Sequence, residues 1–316
     1  MIRACILAAL ALTVCITGSS ALIRHVQSGV GCEGWSACYR AMAGTGTAGT
    51  APGASGASDA TTVPSPGGAA ARFVPTARAA HRASATTVGL LAVIIAFVGG
   101  SRLRPRERPA AALALGLTVL LAWLGRYTPH DLPAVTLGNV LGGFLLAASF
   151  GWMAARAPAV PASARSHVTA RAAALALAVV FAQAYIGVMI SARHAVDACH
   201  GLACLPSPPF GWDALDPLRA QGSGPDGGAK MLAFVHRLGA LAVVLATLRA
   251  ALFAAVPATR GLAAMLVAGV CVQCALGLSV AVGSQPLGVA TAHNTVAAVL
   301  VALLAALARR TSANGD

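Results

Sequence analysis

The sequence carries little charge and very little acid. Only 10% of its 316 residues are Asp, Glu, Lys or Arg, whereas about a quarter of the residues in soluble domains are charged. Hydrophobic residues make up 57%, and the mean hydropathy is +0.76. This composition excludes an ordinary soluble domain and predicts an all-α integral membrane protein. Glutamate occurs only at Glu33 and Glu107, and no Asp or Glu lies deep within an apolar segment. Buried carboxylates therefore cannot carry protons here, and ion-coupled transport is disfavoured.

The excess of basic residues is better explained by membrane topology than by nucleic-acid binding. The formal net charge is +13, but the arginines concentrate in short connections between apolar segments rather than along one face. Three connections carry them: Arg102, Arg104, Arg106 and Arg108; Arg156, Arg165 and Arg171; and Arg249 and Arg260. Positive charge near spans marks the cytoplasmic side. Together with Arg3 and Arg309-Arg310, this predicts cytoplasmic termini in the inner (plasma) membrane and no nucleic-acid partner.

Eight apolar segments are long enough to span a bilayer or nearly so. They cover about 4–23, 83–100, 110–125, 134–155, 172–192, 231–254, 262–282 and 287–308. The first also resembles a signal peptide, because Arg3 precedes an apolar run and small residues follow near Gly18. An uncleaved first helix gives an even number of spans, as two cytoplasmic termini require. We therefore expect eight transmembrane helices.

Four of the eight cysteines lie in loops on the predicted outer side. Cys32 and Cys38 follow the first span, and Cys199 and Cys204 follow the fifth. Cysteine pairs in loops on an oxidising face predict two disulfides. The alternative is a thiol pair that handles copper or exchanges disulfides.

An internal repeat divides the chain into two four-helix bundles, residues 1–155 and 156–316. Each half has a span, a loop with a cysteine pair, and then a His-Arg dipeptide at the start of the next span. The dipeptides are His81-Arg82 and His236-Arg237. Residues 41–72 are mostly Ala, Gly, Thr, Ser and Pro, which predicts a flexible insertion in the first outer loop.

His236 and His293 are the strongest candidates for a cofactor site. Each lies about six residues into an apolar segment entered from the same side, roughly 9–10 Å below one surface at a rise of about 1.5 Å per residue. Polar residues in lipid normally face the bundle interior. Two such imidazoles are suitable axial ligands for haem iron, although a single membrane histidine often only hydrogen-bonds a neighbouring helix. The arginines Arg82 and Arg237 either pair with haem propionates or extend to lipid headgroups.

The first half lacks an equivalent pair. His81 has no partner at depth, because Gly138 stands where the second half has His293. His25 and His130 flank spans and are expected to approach a ligand only from the rim. An asymmetric site of this kind suits a substrate pocket, because one open position on the metal allows exchange. A repeat that has lost its second ligand would show the same sequence pattern, so both interpretations stay open.

Residues 24–38, RHVQSGVGCEGWSAC, resemble the signature Arg-x-Thr-x-Ser-Gly-x-x-Cys-Pro-Asp-Trp-Pro-x-Cys of the heme A synthase family. The matching positions are Arg24, Ser28, Gly29, Cys32, Trp35 and Cys38, and the departures are Val26, Glu33, Gly34 and Ser36. His236-Arg237 resembles the second His-Arg motif of that family, and His293 its last haem ligand. The resemblance covers nearly the whole chain apart from 41–72.

The resemblance implies two related four-helix halves that serve cytochrome oxidase assembly. It implies a b-type haem bound by His236 and His293, with Arg237 beside it, in the second half. In the first half it implies heme O as substrate, with His81 as a ligand of its iron and Arg82 and Asn139 beside it, and with a methyl group oxidised towards the formyl group of heme A. The haem farnesyltransferase and terminal oxidase subunits are the implied partners.

Two departures from the family bear on catalysis. The family usually has Glu three residues before the first His-Arg, where this chain has Arg78, and the expected first-half ligand falls on Gly138 or Asn139. Asn139 offers an amide to a bound water or a propionate but is a poor iron ligand. No catalytic residue is assigned. The competing functions are a non-catalytic haem-binding assembly factor, a bis-His electron-transfer cytochrome and a transporter.

Overall fold

A computed structural model describes most of the chain outside the longest loops. The described residues are 1–27, 73–99, 102–127, 132–155, 164–193, 195, 198–199, 201, 205–206, 208, 210–219, 226–282 and 287–312. Cys32, Cys38, Cys204, His130 and the predicted insertion at 41–72 lie outside them. The predictions made for those residues stay predictions.

Eight long helices account for nearly all of the described residues. They are α1 Ile2–Gln27, α2 Phe73–Val93, α3 Glu107–Tyr127, α4 Pro133–Ala154, α5 Ala164–Ala192, α6 Asp226–Phe253, α7 Arg260–Val282 and α8 Leu287–Thr311. A π-helical turn at Ile94–Val98 extends α2, and a 3-10 turn at Trp212–Leu215 lies between α5 and α6. Every one of the eight is long and apolar enough to cross a membrane. The predicted all-α, multi-pass architecture is confirmed.

The bilayer explains why these segments are helical and apolar on every side. Without water, a spanning segment must satisfy its backbone N–H and C=O groups internally, which a helix does. Large apolar side chains therefore remain on the outer surface of the bundle; Phe97 is 74% exposed and Leu252 is 72% exposed. Helix α4 begins with Pro133 in its first turn, where the missing N–H breaks no helical hydrogen bond.

Helix α4 contributes to both halves of the hydrophobic core. Its Leu146, Phe150 and Met153 pack with buried residues of α1, α2 and α3. On another face, Phe144 and Ala148 pack with α5, α6, α7 and α8. The two predicted bundles therefore share a core through α4, and a division at residue 155 stays a prediction.

Small residues allow close contact between helices of the two halves. A Cβ on Gly18 of α1 would lie 3.0 Å from the hydroxyl oxygen of Thr295 on α8, and one on Gly151 of α4 would lie 2.5 Å from the carbonyl oxygen of Ala302. Interfaces in membranes favour glycine at such places because it lets backbones approach. As a result, α8 packs against α1 and α4 as well as against its own half.

The start of α1 and the end of α8 lie at the same end of the bundle, here called the terminal end. Arg3 and Arg310 line one cavity there. Nearby, Arg309 is only 2% exposed and lies 3.9 Å from a carboxylate oxygen of Glu107 and 5.6 Å from the ring centre of Trp152. A buried charge is costly unless paired, so Glu107 and Trp152 stabilise the end of α8.

Candidate functional site

His236 on α6 is fixed by a glutamine and a glycine of α5. The side-chain amide nitrogen of Gln183 donates to Nδ1 of His236 over 3.0 Å and to the backbone carbonyl of His236 over 2.7 Å. Gly187 lies one turn further along α5, on the same face, and a Cβ there would lie 3.0 Å from Cε1 of the imidazole. The ring therefore packs against bare backbone on one side while Gln183 holds one of its nitrogens.

His293 on α8 has the same arrangement against α7. The amide nitrogen of Gln273 lies 3.1 Å from Nε2 of His293, and a Cβ on Gly277 would lie 3.0 Å from Cε1 of the ring. Both histidines thus sit against a Gln-x-x-x-Gly sequence on the preceding helix. We call Gln183 with Gly187 the first cradle, and Gln273 with Gly277 the second cradle.

Both cradles were missed by reasoning from the sequence. Tyr185, also on α5, donates to the backbone carbonyl of Leu215 over 2.6 Å, whereas Gln183 bonds both to the imidazole and to the backbone carbonyl of His236 on the next helix. A signal was present, since Gln followed by Gly four residues later occurs in two spans, each followed by a span with a deep histidine.

Each imidazole keeps one nitrogen that no described protein group occupies. Nδ1 of His293 is buried without a hydrogen-bond partner, and Nε2 of His236 makes no hydrogen bond within the described residues. The carbonyl oxygens of Gln183 and Gln273 are also buried and unpartnered. Buried polar groups normally have partners, so a bound group that paired with the unoccupied ring nitrogens would complete the site.

This donor set fits haem better than a bare metal ion. Within the described ranges, no group of three or more His, Cys, Asp or Glu residues could hold a metal ion. A haem brings four porphyrin nitrogens and needs only axial ligands from the protein. His236 and His293 would supply these ligands, each through its unoccupied nitrogen; the other ring nitrogen would then carry the proton and donate it to the side-chain oxygen of its glutamine, with that amide group turned relative to the arrangement described above. Helix α6 begins ten residues before His236 and α8 six residues before His293, and equal depth in the bilayer stays a prediction.

Arg237 connects the predicted site to the loop after α5. Its guanidinium donates to the backbone carbonyl of Cys199 over 3.2 Å. Cys199 is buried and is not a free thiol. With Cys32, Cys38 and Cys204 outside the described residues, the two predicted disulfides stay predictions.

Four polar side chains connect α1 of the first half to α5 and α8 of the second. Arg24 donates to the hydroxyl of Ser191 and to the amide oxygen of Asn294, both over 3.0 Å. The amide nitrogen of Asn294 lies 3.1 Å from Nε2 of His25. We call Arg24, His25, Ser191 and Asn294 the inter-half brace. Because Asn294 directly follows His293, the brace fixes the backbone beside a predicted ligand.

The structure corrects the expected position of His25. Sequence reasoning placed it at the rim, flanking the first span. It instead lies within α1 and is only 6% exposed, because α8 packs against α1 at this level. Nδ1 of His25 is buried without a hydrogen-bond partner.

The first half has no counterpart to the two cradles. His81 is half-buried on α2, with Nδ1 3.4 Å from the hydroxyl of Ser19, and Arg82 is exposed. Asn139 is half-buried on α4 and shares no hydrogen bond with His81 in the described part of the chain. Beside it, a Cβ on Gly138 would lie 3.1 Å from a methyl carbon of Leu124. Leu124 thus packs where a side chain at 138 would begin.

Comparison with known protein families gives a match over nearly the whole chain. A family model described as "Cytochrome oxidase assembly protein", COX15-CtaA, matches residues 3–305. No curated protein matches the chain. The match includes α1 from Arg3 onward, all of α2 to α7 and most of α8, and therefore all members of the two cradles and of the inter-half brace.

Proposed function

Because the chain belongs to the COX15-CtaA family of cytochrome oxidase assembly proteins, we propose that it is a membrane oxidoreductase that modifies haem. Its proposed reaction is that of heme A synthase, the oxidation of a methyl group of heme O towards the formyl group of heme A. The single observation that carries this proposal is the pair of cradled histidines, His236 and His293. Two half-buried imidazoles on separate helices, each with an unoccupied nitrogen, support a bound b-type haem.

A haem bound there would accept and pass on electrons one at a time. Electrons removed from the methyl group would thus have a nearby acceptor. The protein's own contribution is to hold the ligands. Gln183 and Gln273 fix the orientation of the two rings, as hydrogen-bonded partners of metal ligands do. Gly187 and Gly277 leave space for each ring against a neighbouring helix. Arg237, near the loop after α5, is placed to pair with propionate groups.

We propose that heme O binds in the first half, near His81, Arg82 and Asn139. His81 on α2 is the proposed ligand there, and its contact with Ser19 orients the ring. The two halves differ at the position of the second ligand. The second half has His293 there, whereas the first half has Gly138 with Leu124 packed beside it. An iron with one protein ligand leaves the other face open to exchange, as a substrate site needs.

A second candidate function is a non-catalytic haem-binding factor in oxidase assembly. The same contact favours it, because Leu124 packs where a ligand at 138 would begin and Arg78 is exposed on α2 in place of the usual glutamate. In that case the first half would be a remnant of the repeat. One haem per chain and no modified product would follow.

The proposed setting is the inner (plasma) membrane, with the terminal end towards the cytoplasm. Arg3, Arg309 and Arg310 at that end support this orientation. The cysteine pairs Cys32/Cys38 and Cys199/Cys204 would then lie on the oxidising side. The haem farnesyltransferase and terminal oxidase subunits are the proposed partners.

The decisive experiment is analysis of the haem extracted from the purified protein by chromatography with mass detection. The protein is expressed with and without a supply of heme O. Heme A, or its hydroxylated precursor, appearing only with heme O would support the enzyme. Heme B alone, at one per chain, would reject catalysis and favour the assembly factor.

Substitution of the two ligands tests the cofactor site separately. His236→Ala or His293→Ala should abolish the spectrum of a six-coordinate, low-spin haem. The matched control is His167→Ala, because His167 is exposed on α5, outside the site. If both deep variants kept the native spectrum, the ligand assignment would be wrong.

A further inference from the structure

A cavity at the terminal end has the composition of a lipid site. It has a volume of about 350 Å³ and lies between α1, α4, α7 and α8. Its walls include Leu10, Leu262, Val299 and Ala306, and among the described residues the charged ones that line it are Arg3 and Arg310. The proposed cofactor site uses none of these residues.

Close packing of two helix backbones forms the floor of this cavity. Gly151 of α4 meets Ala302 of α8 so closely that an added Cβ would lie 2.5 Å from the carbonyl oxygen of Ala302. Because both residues are small, no side chain fills the groove above their contact. In a bilayer, an apolar groove that opens between helices is occupied by lipid chains rather than by water.

The two arginines at this groove have donors available for an anion. Arg3 donates one N–H to the backbone carbonyl of Ala154 over 2.9 Å, which holds the guanidinium at the groove and leaves other donors of its five. Arg310 is half-buried and has no hydrogen-bond or ion-pair partner among the described residues. Paired guanidinium groups bind phosphate oxygens well.

A second cavity beside the first extends the basic surface. It has a volume of about 330 Å³, and it is lined by Arg3, Arg102 and Arg104 together with Glu107. Arg3 and Ala155 line both cavities. A headgroup at Arg3 would therefore lie beside a second cavity lined by Arg102, Arg104 and the carboxylate of Glu107, where the basic groups outnumber the acidic one. Basic pockets between helices on the cytoplasmic side are typical sites for anionic lipid headgroups.

We propose that this groove binds one anionic glycerophospholipid. The phosphate lies at Arg3 and Arg310, and an acyl chain lies in the apolar groove between α1, α7 and α8. Since the groove joins helices of both halves, the lipid would stabilise the packing of α1 against α8. The proposal does not depend on haem binding or on catalysis.

The test is binding of phosphatidylglycerol to the full-length protein, measured by native mass spectrometry and by the midpoint of thermal unfolding in detergent. Phosphatidylcholine with the same acyl chains is the reference lipid. We expect one phosphatidylglycerol to be retained and to raise the unfolding midpoint more than phosphatidylcholine does. The double variant Arg3→Gln, Arg310→Gln should weaken that binding about thirtyfold, from the contribution of one surface cation taken twice.

Two further variants separate the site from general surface charge. Arg260→Gln removes one exposed arginine at the start of α7, outside both cavities, and should leave the affinity unchanged. Ala306→Leu keeps both arginines but fills the groove, and should also weaken binding. Any of three results would overturn the proposal: the two lipids bind equally well, Arg260→Gln weakens binding as much as the double variant does, or Ala306→Leu keeps wild-type affinity. Equal stabilisation by soluble glycerol phosphate, which has no acyl chain, would also overturn it.

Discussion

Replacing Gly277 by alanine tests the second cradle directly. The added methyl group would lie 3.0 Å from Cε1 of His293, whereas ordinary contacts begin at 3.4 Å, so the ring must shift by a few tenths of an ångström. Overpacking of this kind costs about 1–3 kcal/mol of folding free energy. The matched change is Gly116→Ala on α3, where an added Cβ meets nothing within 4 Å. Glycine within a helix is disfavoured relative to alanine by roughly 0.5–1 kcal/mol, so this control should stabilise the protein.

The two variants therefore have opposite predicted signs for the same chemical change. Thermal unfolding of the purified proteins in one detergent measures the sign, and haem content per chain measures the effect on the site. Gly277→Ala should unfold at a lower temperature than wild type and retain less haem, whereas Gly116→Ala should unfold slightly higher with unchanged haem. Equal shifts of the two midpoints, with equal haem content, would refute the packing argument.

Three further predictions concern contacts that the structure reveals. Gly239→Ala would place a Cβ 2.0 Å from the amide oxygen of Gln183, so it should displace that side chain and alter the haem spectrum, whereas Gly261→Ala should not. Asn294→Leu removes the centre of the inter-half brace and should shift the haem reduction potential; an unchanged potential in redox titration would count against coupling through the brace. Glu107→Gln leaves the buried Arg309 without its acidic partner. It should lower the unfolding free energy by about 3 kcal/mol, because uncompensated buried charges are costly. A measured loss under about 1 kcal/mol would argue against a stabilising ion pair.

The number and order of the helices could be predicted from hydropathy because each span must be apolar throughout. The ends could not. Helix α2 begins at Phe73 and not near 83, and α6 begins at Asp226 and not near 231. Both extensions contain polar or small residues, which lower the hydropathy without breaking the helix. Backbone hydrogen bonds continue through them, since a helix does not end where the apolar run ends.

The site was only partly predictable for a related reason. His236 and His293 stand out because histidine is rare in apolar spans. Their partners Gln183 and Gln273 are equally visible as polar residues, but which helix face meets which neighbour depends on helix rotation and tilt. Hydropathy has no information on these angles. The burial of His25 was missed for the same reason, because it results from the packing of α8 against α1.

The position of α4 in both core clusters has a consequence for the order of synthesis. Helix α4 is made before α5 to α8, yet one of its faces, with Phe144 and Ala148, packs against those later helices. In water, such an uncovered face would attract other chains. In a bilayer, lipid chains cover it without penalty because they are as apolar as the helices that replace them. Helix α4 can therefore be inserted well before α8 without exposing an aggregation-prone surface.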